Sequence, residues 1–203
     1  MAQVNDRLRH LKAVRPDFVD FTLDDLLQKR PGDVQKKLGD AQLVTVRSQE
    51  IDAFGEGGHT LAARQVMNSV IDNLVRAVRK LSKLGVQYFV ISADHGHQFS
   101  LRKEEDMQID NPGGETVDLH RRCWIGHGGQ TTAASLRVSS ASLGYSSGLD
   151  FIFPKGVAVF RAGGDLNFHH GGTSLQEMVV PVISFRMSVG TVPLAASVGV
   201  SLK

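Results

Sequence analysis

Cysteine is almost missing: Cys123 stands alone among 203 residues. One thiol cannot form an internal disulfide and cannot supply a cysteine-rich zinc site, so the chain suits a reducing compartment. No run of about 18 apolar residues occurs, the length a membrane-spanning helix needs. The opening residues, MAQVNDRLRHLK, are polar and carry no apolar signal-peptide core. A cytoplasmic protein is expected from these absences. Charge of one sign is not in excess either. The formal net charge is +2 and the pI is near 8.8, which permits a phosphate-rich partner without requiring one. No internal repeat and no low-complexity tract is visible.

What is present fits a folded chain. Hydrophobic residues make up 41% and charged residues 22%, as in globular proteins. The length allows one domain, or one with an appendage, and a sizeable core. Residues 1–40 are charged and weakly periodic, a mostly helical segment. A short helix is expected around Leu23 to Lys29, capped by Thr22, with acids in its first turn. QLVTVRS (42–48) reads as a strand, QEIDAFGEGGHT as a loop. A long helix follows, roughly Leu61 to Leu84, with Val66, Val70, Ile71, Leu74, Val78 and Leu81 at helical spacing. Thr60 suits its start and Gly85 its end.

VQYFVISA reads as a short, fully buried strand. Residues 42–93 thus predict a strand–helix–strand unit with a right-handed crossover between parallel strands, in a sheet covered on both faces. Further on, RRCWIGHGGQ predicts a strand running into a glycine turn, and SLRVSS another strand. LDFIFPKGVAVFRAGG predicts a hairpin turning at Pro154-Lys155-Gly156. GTSLQEMVVPVISFRM predicts a short helix from Thr173 or Ser174, then a strand from Val180 to Phe185. Residues 188–203 form a β-prone tail. The class is α/β.

Acids and histidines gather in three places: Asp52, Glu56 and His59; Asp94, His95 and His97; and His169-His170 before two glycines. Asp94 and His95 directly follow an apolar strand, where an open α/β sheet places its ligands. Carboxylate oxygen and imidazole nitrogen together suit Zn²⁺ or Mn²⁺ better than Ca²⁺. Bland readings stand beside these. Asp52 to His59 fit a solvated loop, and His169-His170 fit ordinary turn residues. Gly171 and Gly172 before Thr173 fit either a backbone need or a phosphate-receiving helix start. His120, Arg121 and Arg122 are able to bind phosphate but also fit plain surface. Cys123 and Trp124 read as core, His127 as a turn histidine.

Four pieces in order, EIDAFGE, FVISADHG, HRRCWIG and HHGGTSLQEMVVPVI, resemble the C-terminal half of a PglZ-domain protein. PglZ is a branch of the alkaline phosphatase superfamily found in Pgl and BREX phage-defence systems. The resemblance runs from about residue 50 to residue 185. It implies a partial alkaline-phosphatase-like sandwich over 41–187, a mostly parallel sheet with flanking helices and a β tail. It implies metal ligation by Asp52 and His170 at one ion and by Asp94 and His95 at a second. Zn or Mn is implied, with one ion or two. Glu56 and His59 are alternative third ligands of the first. Arg121 and Arg122 would contact substrate; Gly171, Gly172, Ser174 and Glu177 would support the His170 loop. The superfamily's first strand, its aspartate and its Ser/Thr nucleophile find no counterpart, since one strand alone is read before Asp52. The chain therefore resembles the second half of a catalytic domain.

Three functions are open at this point. One is a metal-dependent phosphoester hydrolase, or the metal-binding half of one. The second is a non-catalytic scaffold or interaction module among phage-defence proteins, with an open sheet edge able to form a homodimer. The third is a nucleic-acid binder using Arg64, Arg76, Arg79, Lys80 and Lys83 on the long helix, which no known motif accompanies.

Overall fold

The structure is a computed structural model that describes residues 4–56, 60–99, 107–163 and 168–188; for 4, 5, 56 and 60–64 it describes the backbone only. The β-prone tail, from residue 189 on, and His59 lie outside the described residues, as does the Glu56 side chain. The chain divides into two compact units, one of residues 1–48, 69–90 and 183–203, the other of 49–68 and 91–182.

The first unit opens with helix α1 (Val4–Val14), strand β1 (Phe18–Thr22), helices α2 (Leu23–Gln28) and α3 (Pro31–Leu38), and strand β2 (Leu43–Arg47). Strand β1 is a second strand before Asp52, where one was expected. It pairs with β2 in parallel, from Phe18 opposite Leu43 to Thr22 opposite Arg47. Phe18 and Phe21, on opposite faces of the strand, are both buried. Asp20 instead accepts from Thr45 Oγ1 (2.7 Å) and from Arg47 at both of its oxygens (2.8 and 2.7 Å). Thr22 caps α2 as predicted, its Oγ1 accepting from the Asp25 N–H at 3.1 Å.

Helix α5 (Thr60–Lys83) is the long helix of the sequence. Its buried apolar positions in this unit are Val70, Ala77 and Leu81, one face at helical spacing, whereas Ile71 is exposed. Lys80 is not a free cation: Nζ donates to the carbonyls of Leu26 (2.8 Å), Leu27 (3.2 Å) and Lys29, closing the end of α2. That removes one charge from the proposed basic face. The helix ends as Gly85 predicts, at φ 97°, with Gly85 N bonded to Ser82 O and Val86 N to Leu81 O.

Strand β3 (Tyr88–Ser92) pairs with β12 (Val182–Arg186), the last strand among the described residues, and Phe89 stacks on Phe185 at 5.4 Å. Two expectations are corrected here. The strands flanking α5 belong to different two-stranded sheets, β1–β2 and β3–β12. And β3 is not fully buried: Phe89 is, while Tyr88 and Val90 are about 70% exposed. One face of the strand is covered and the other is not.

The second unit holds α4 (Glu50–Glu56) and strands β4 (Gln98–Phe99), β5 (Gln108–Ile109), β6 (Glu115–Leu119), β7 (Trp124–His127), β8 (Ser135–Ser139), β9 (Asp150–Pro154), β10 (Val159–Phe160) and β11 (Phe168–His169), then α6 (Leu175–Met178). Its main sheet has the order β6-β7-β9-β8, all antiparallel. The expected mostly parallel sheet is therefore not observed. Short links such as residues 120–123 between β6 and β7 suffice for antiparallel neighbours, whereas parallel ones need long crossovers. The predicted hairpin is also absent. Lys155 does make a turn, accepting from Ala158 N at 3.1 Å, but β10 then pairs in parallel with β5 rather than with β9. Trp124, Ile152 and Phe160 form the core, joined by Ile109 and Leu119. The buried indole donates to Thr116 Oγ1 at 2.8 Å. Cys123 is a free, half-buried thiol, pushed up to about 12 by burial and by Asp118.

Candidate metal centre

The site is assembled within the second unit. QEIDAFGE, read as a loop, is a helix: the Gln49 carbonyl accepts from Ala53 N at 3.0 Å, and Glu50 and Asp52 occupy the first turn of α4, where acids are favoured. Gly55 lets this helix approach β11. A Cβ there would lie 2.5 Å from the Phe168 ring. Phe168 leads through His169 to His170. Across the β4–β11 ladder, Phe168 faces Phe99 and His169 faces Gln98. The loop 94–97 runs directly into β4. Two packing events thus bring three distant segments together, the glycine contact between α4 and β11 and the short antiparallel ladder.

At the meeting point His95 Nε2 lies 3.6 Å from Asp52 Oδ2 and 3.9 Å from Asp94 Oδ1. Donor atoms of Asp52, Asp94 and His95 all fall within 4.8 Å of one another. The other ring nitrogen, His95 Nδ1, is 3.0 Å from the Gly96 carbonyl. That carbonyl can only accept, so Nδ1 donates to it and Nε2 faces the carboxylates. The His170 ring stacks on His95 with centroids 4.4 Å apart. His97, which the ligand set read from the sequence omits, stacks on Phe168 at 4.7 Å. Burial lowers its pKa, the charges of His95 and His170 add to that, and Asp52 opposes it.

A second network lies behind the histidines. Glu177 accepts from Arg122 at both oxygens (2.9 and 2.8 Å), from Gly172 N at 2.9 Å and from Ser174 Oγ at 2.6 Å. Ser174 and Glu177 form a capping box on α6. Gly171 takes φ 89° in the preceding turn. Burial works against ionisation of Glu177, but the hydrogen bonds from Arg122 and Ser174 and the Arg122 charge prevail and hold its carboxyl below its usual 4.5. Both side chains of the pair are 1% exposed. Arg122 is thus corrected from substrate contact to buried partner of Glu177: its fork is filled, and it does not reach solvent. Arg121 Nε donates to the Gly163 carbonyl at 3.2 Å.

The sequence's donors therefore separate. Asp52, Asp94 and His95 form one three-donor set with His170 beside it, rather than two pairs. Asp94 is the most open member, its side chain 72% exposed against 36% for Asp52 and 30% for His95. Two residues in the strand–acid–hydroxyl–helix order not found in the sequence do occur, Asp20 in β1 and Thr22 at α2. Asp20 is committed to Arg47 and Thr45, and Thr22 to its cap. The signal for both was the helix cap itself, read without the strand before it.

Comparison with known families matches residues 2–185 to one described as BREX system PglZ alkaline phosphatase-like domain. Among curated proteins, the alkaline phosphatase-like protein BrxZ of Escherichia coli O9:H4 (strain HS) is 30% identical over 176 residues. That alignment covers 80% of this chain and 19% of the relative, so the chain spans about a fifth of the relative's length.

Proposed function

The chain belongs to the PglZ family of BREX alkaline phosphatase-like domains, and from that premise we propose that it holds a divalent cation, Zn²⁺ or Mn²⁺, between Asp52, Asp94 and His95 and serves phosphoester hydrolysis in a phage-defence assembly. The observation that carries this reading is the orientation of His95. Its Nδ1 is spent on the Gly96 carbonyl, and its Nε2 faces two carboxylates within reach of one ion. Two oxygens and one nitrogen leave room for a substrate oxygen, the open position that catalytic sites keep.

A bound cation would polarise a phosphoryl oxygen and offset charge developing in the transition state. The protein's share is positional. Asp52 comes from a helix anchored against Phe168, and Asp94 and His95 come from a turn anchored on α6. The exposed side of Asp94 is the side from which a phosphoester would approach. His170, stacked on His95, holds that ring's plane and stands next in line as a donor. The proposed setting is cytoplasmic, with other defence proteins as partners and a homodimer through a sheet edge as one arrangement. No helix among the described residues is long and apolar enough to cross a membrane.

A second reading, a non-hydrolytic interaction module, draws on Leu175, Met178 and Val179, which are all at least 66% exposed beside the capping box. Hydrolysis of bis-p-nitrophenyl phosphate and of plasmid DNA with added Mn²⁺ or Zn²⁺ separates the two. The enzyme reading expects turnover that Asp94→Ala abolishes. Turnover unchanged by Asp94→Ala refutes it, and cation binding without turnover supports the module.

A further inference from the structure

Glu177 reaches both histidine turns with different atoms. Its carboxylate accepts from Gly172 N at 2.9 Å and from Ser174, two and four residues beyond His170. Its main-chain carbonyl accepts from Gly96 N at 2.8 Å, one residue beyond His95. The second approach is close: a Cβ on Gly96 would lie 2.0 Å from the Gln176 carbonyl. Arg122 then roots this node in the sheet. It grips both carboxylate oxygens and donates to the Ala158 carbonyl, while the main-chain carbonyl of its neighbour Arg121 accepts from Phe160 N at 2.8 Å. Trp124 and Phe160, both in the core, flank these contacts.

We propose that the buried Arg122–Glu177 pair is a positioning unit that sets the spacing of the two histidine turns, and with it the stacking of His95 on His170. This rests on the reading of the site as cation-holding only for its consequence, not for its geometry. A carboxylate with five donor atoms around it has little freedom, and a guanidinium fork fixes its plane. Rotation of the Glu177 carboxylate would release Gly172 and Ser174 while Gly96 stayed bound, so the two turns would lose their common reference. Groups behind metal-binding residues act in this way, and their loss characteristically costs 10–100-fold in metal affinity.

The test uses the whole chain, first free of metal. Imidazole proton–carbon NMR signals of His95 and His170 are compared in wild type, Glu177→Gln and the double variant Arg122→Met/Glu177→Met. The double variant removes both charges together and fills the space, a change buried pairs often tolerate; it carries the test if Glu177→Gln does not fold. The expected result is that both rings shift together in either variant while His10 keeps its position. Mn²⁺ and Zn²⁺ titrations should then show affinity falling roughly 10–100-fold. Rings that stay in place, a shift confined to His170, or rings restored in a double variant with normal stability would each overturn the proposal. Wild type that binds no cation, with rings responding as expected, would refute the cation reading and uphold the positioning unit.

Discussion

Moving a guanidinium and a carboxylate out of water costs several kcal/mol per ion, and only good geometry with further hydrogen bonds offsets it. Arg122 and Glu177 have both. Removing one partner leaves the other charged and buried. Arg122→Met is therefore expected to destabilise the protein by about 3–5 kcal/mol in urea unfolding. The pH dependence follows from the lowered Glu177 value. A depressed carboxyl contributes stability that is fully present above its usual 4.5 and is lost as pH falls through the lower folded value. Glu177→Gln should accordingly flatten the acid limb of the stability profile below that pH while lowering stability at neutrality. Cys123 gives a prediction of the opposite sign. With its thiol at about 12, the thiolate is scarce at pH 8, so Ellman's reagent should react in denaturant and barely at all with the folded chain. At this scale the sequence exposes donor types but not their surroundings. Asp52, Asp94 and His95 were legible as candidate donors because their chemistry is local. Arg122 was read as a phosphate contact because its partner lies 55 residues away.

Elements were legible where a short-range signal set them. The Thr22 cap and the Gly85 end are decided within a few residues, and both stand where the sequence puts them. Thr22→Ala should cost about 1 kcal/mol, the usual worth of such a cap. Helix α4 was misread as a loop because Gly55, Gly57 and Gly58 dilute its pattern; only the packing of Phe168 explains why a glycine is used at 55. Here two effects compete. Alanine in a helix interior gains roughly 0.5–1 kcal/mol over glycine, whereas forcing a methyl into a packed contact costs roughly 1–3 kcal/mol. With the Cβ 2.5 Å from the ring, the clash decides the sign. Gly55→Ala should destabilise by thermal melting and should weaken cation binding as well, because α4 carries Asp52.

At the scale of the molecule, strand direction was the illegible part. Apolar run lengths identify strands, but partners such as β5 with β10 or β3 with β12 are selected by packing across long sequence separations. Residues 150–161 show this: a turn at Lys155 was foreseen, yet the chain leaves it for another sheet because Phe160 is needed in the core with Trp124 and Ile152. The site survived the error over sheet direction because its convergence depends on one ladder and one helix contact, not on the class of sheet. The most direct measurement is a calorimetric titration of the metal-free chain with Mn²⁺ and with Zn²⁺, repeated for Asp52→Ala, Asp94→Ala and His95→Ala. The account predicts saturable binding that each substitution weakens by at least about tenfold, as loss of a direct ligand should. Binding that ignores all three substitutions, or no binding at all, would contradict it.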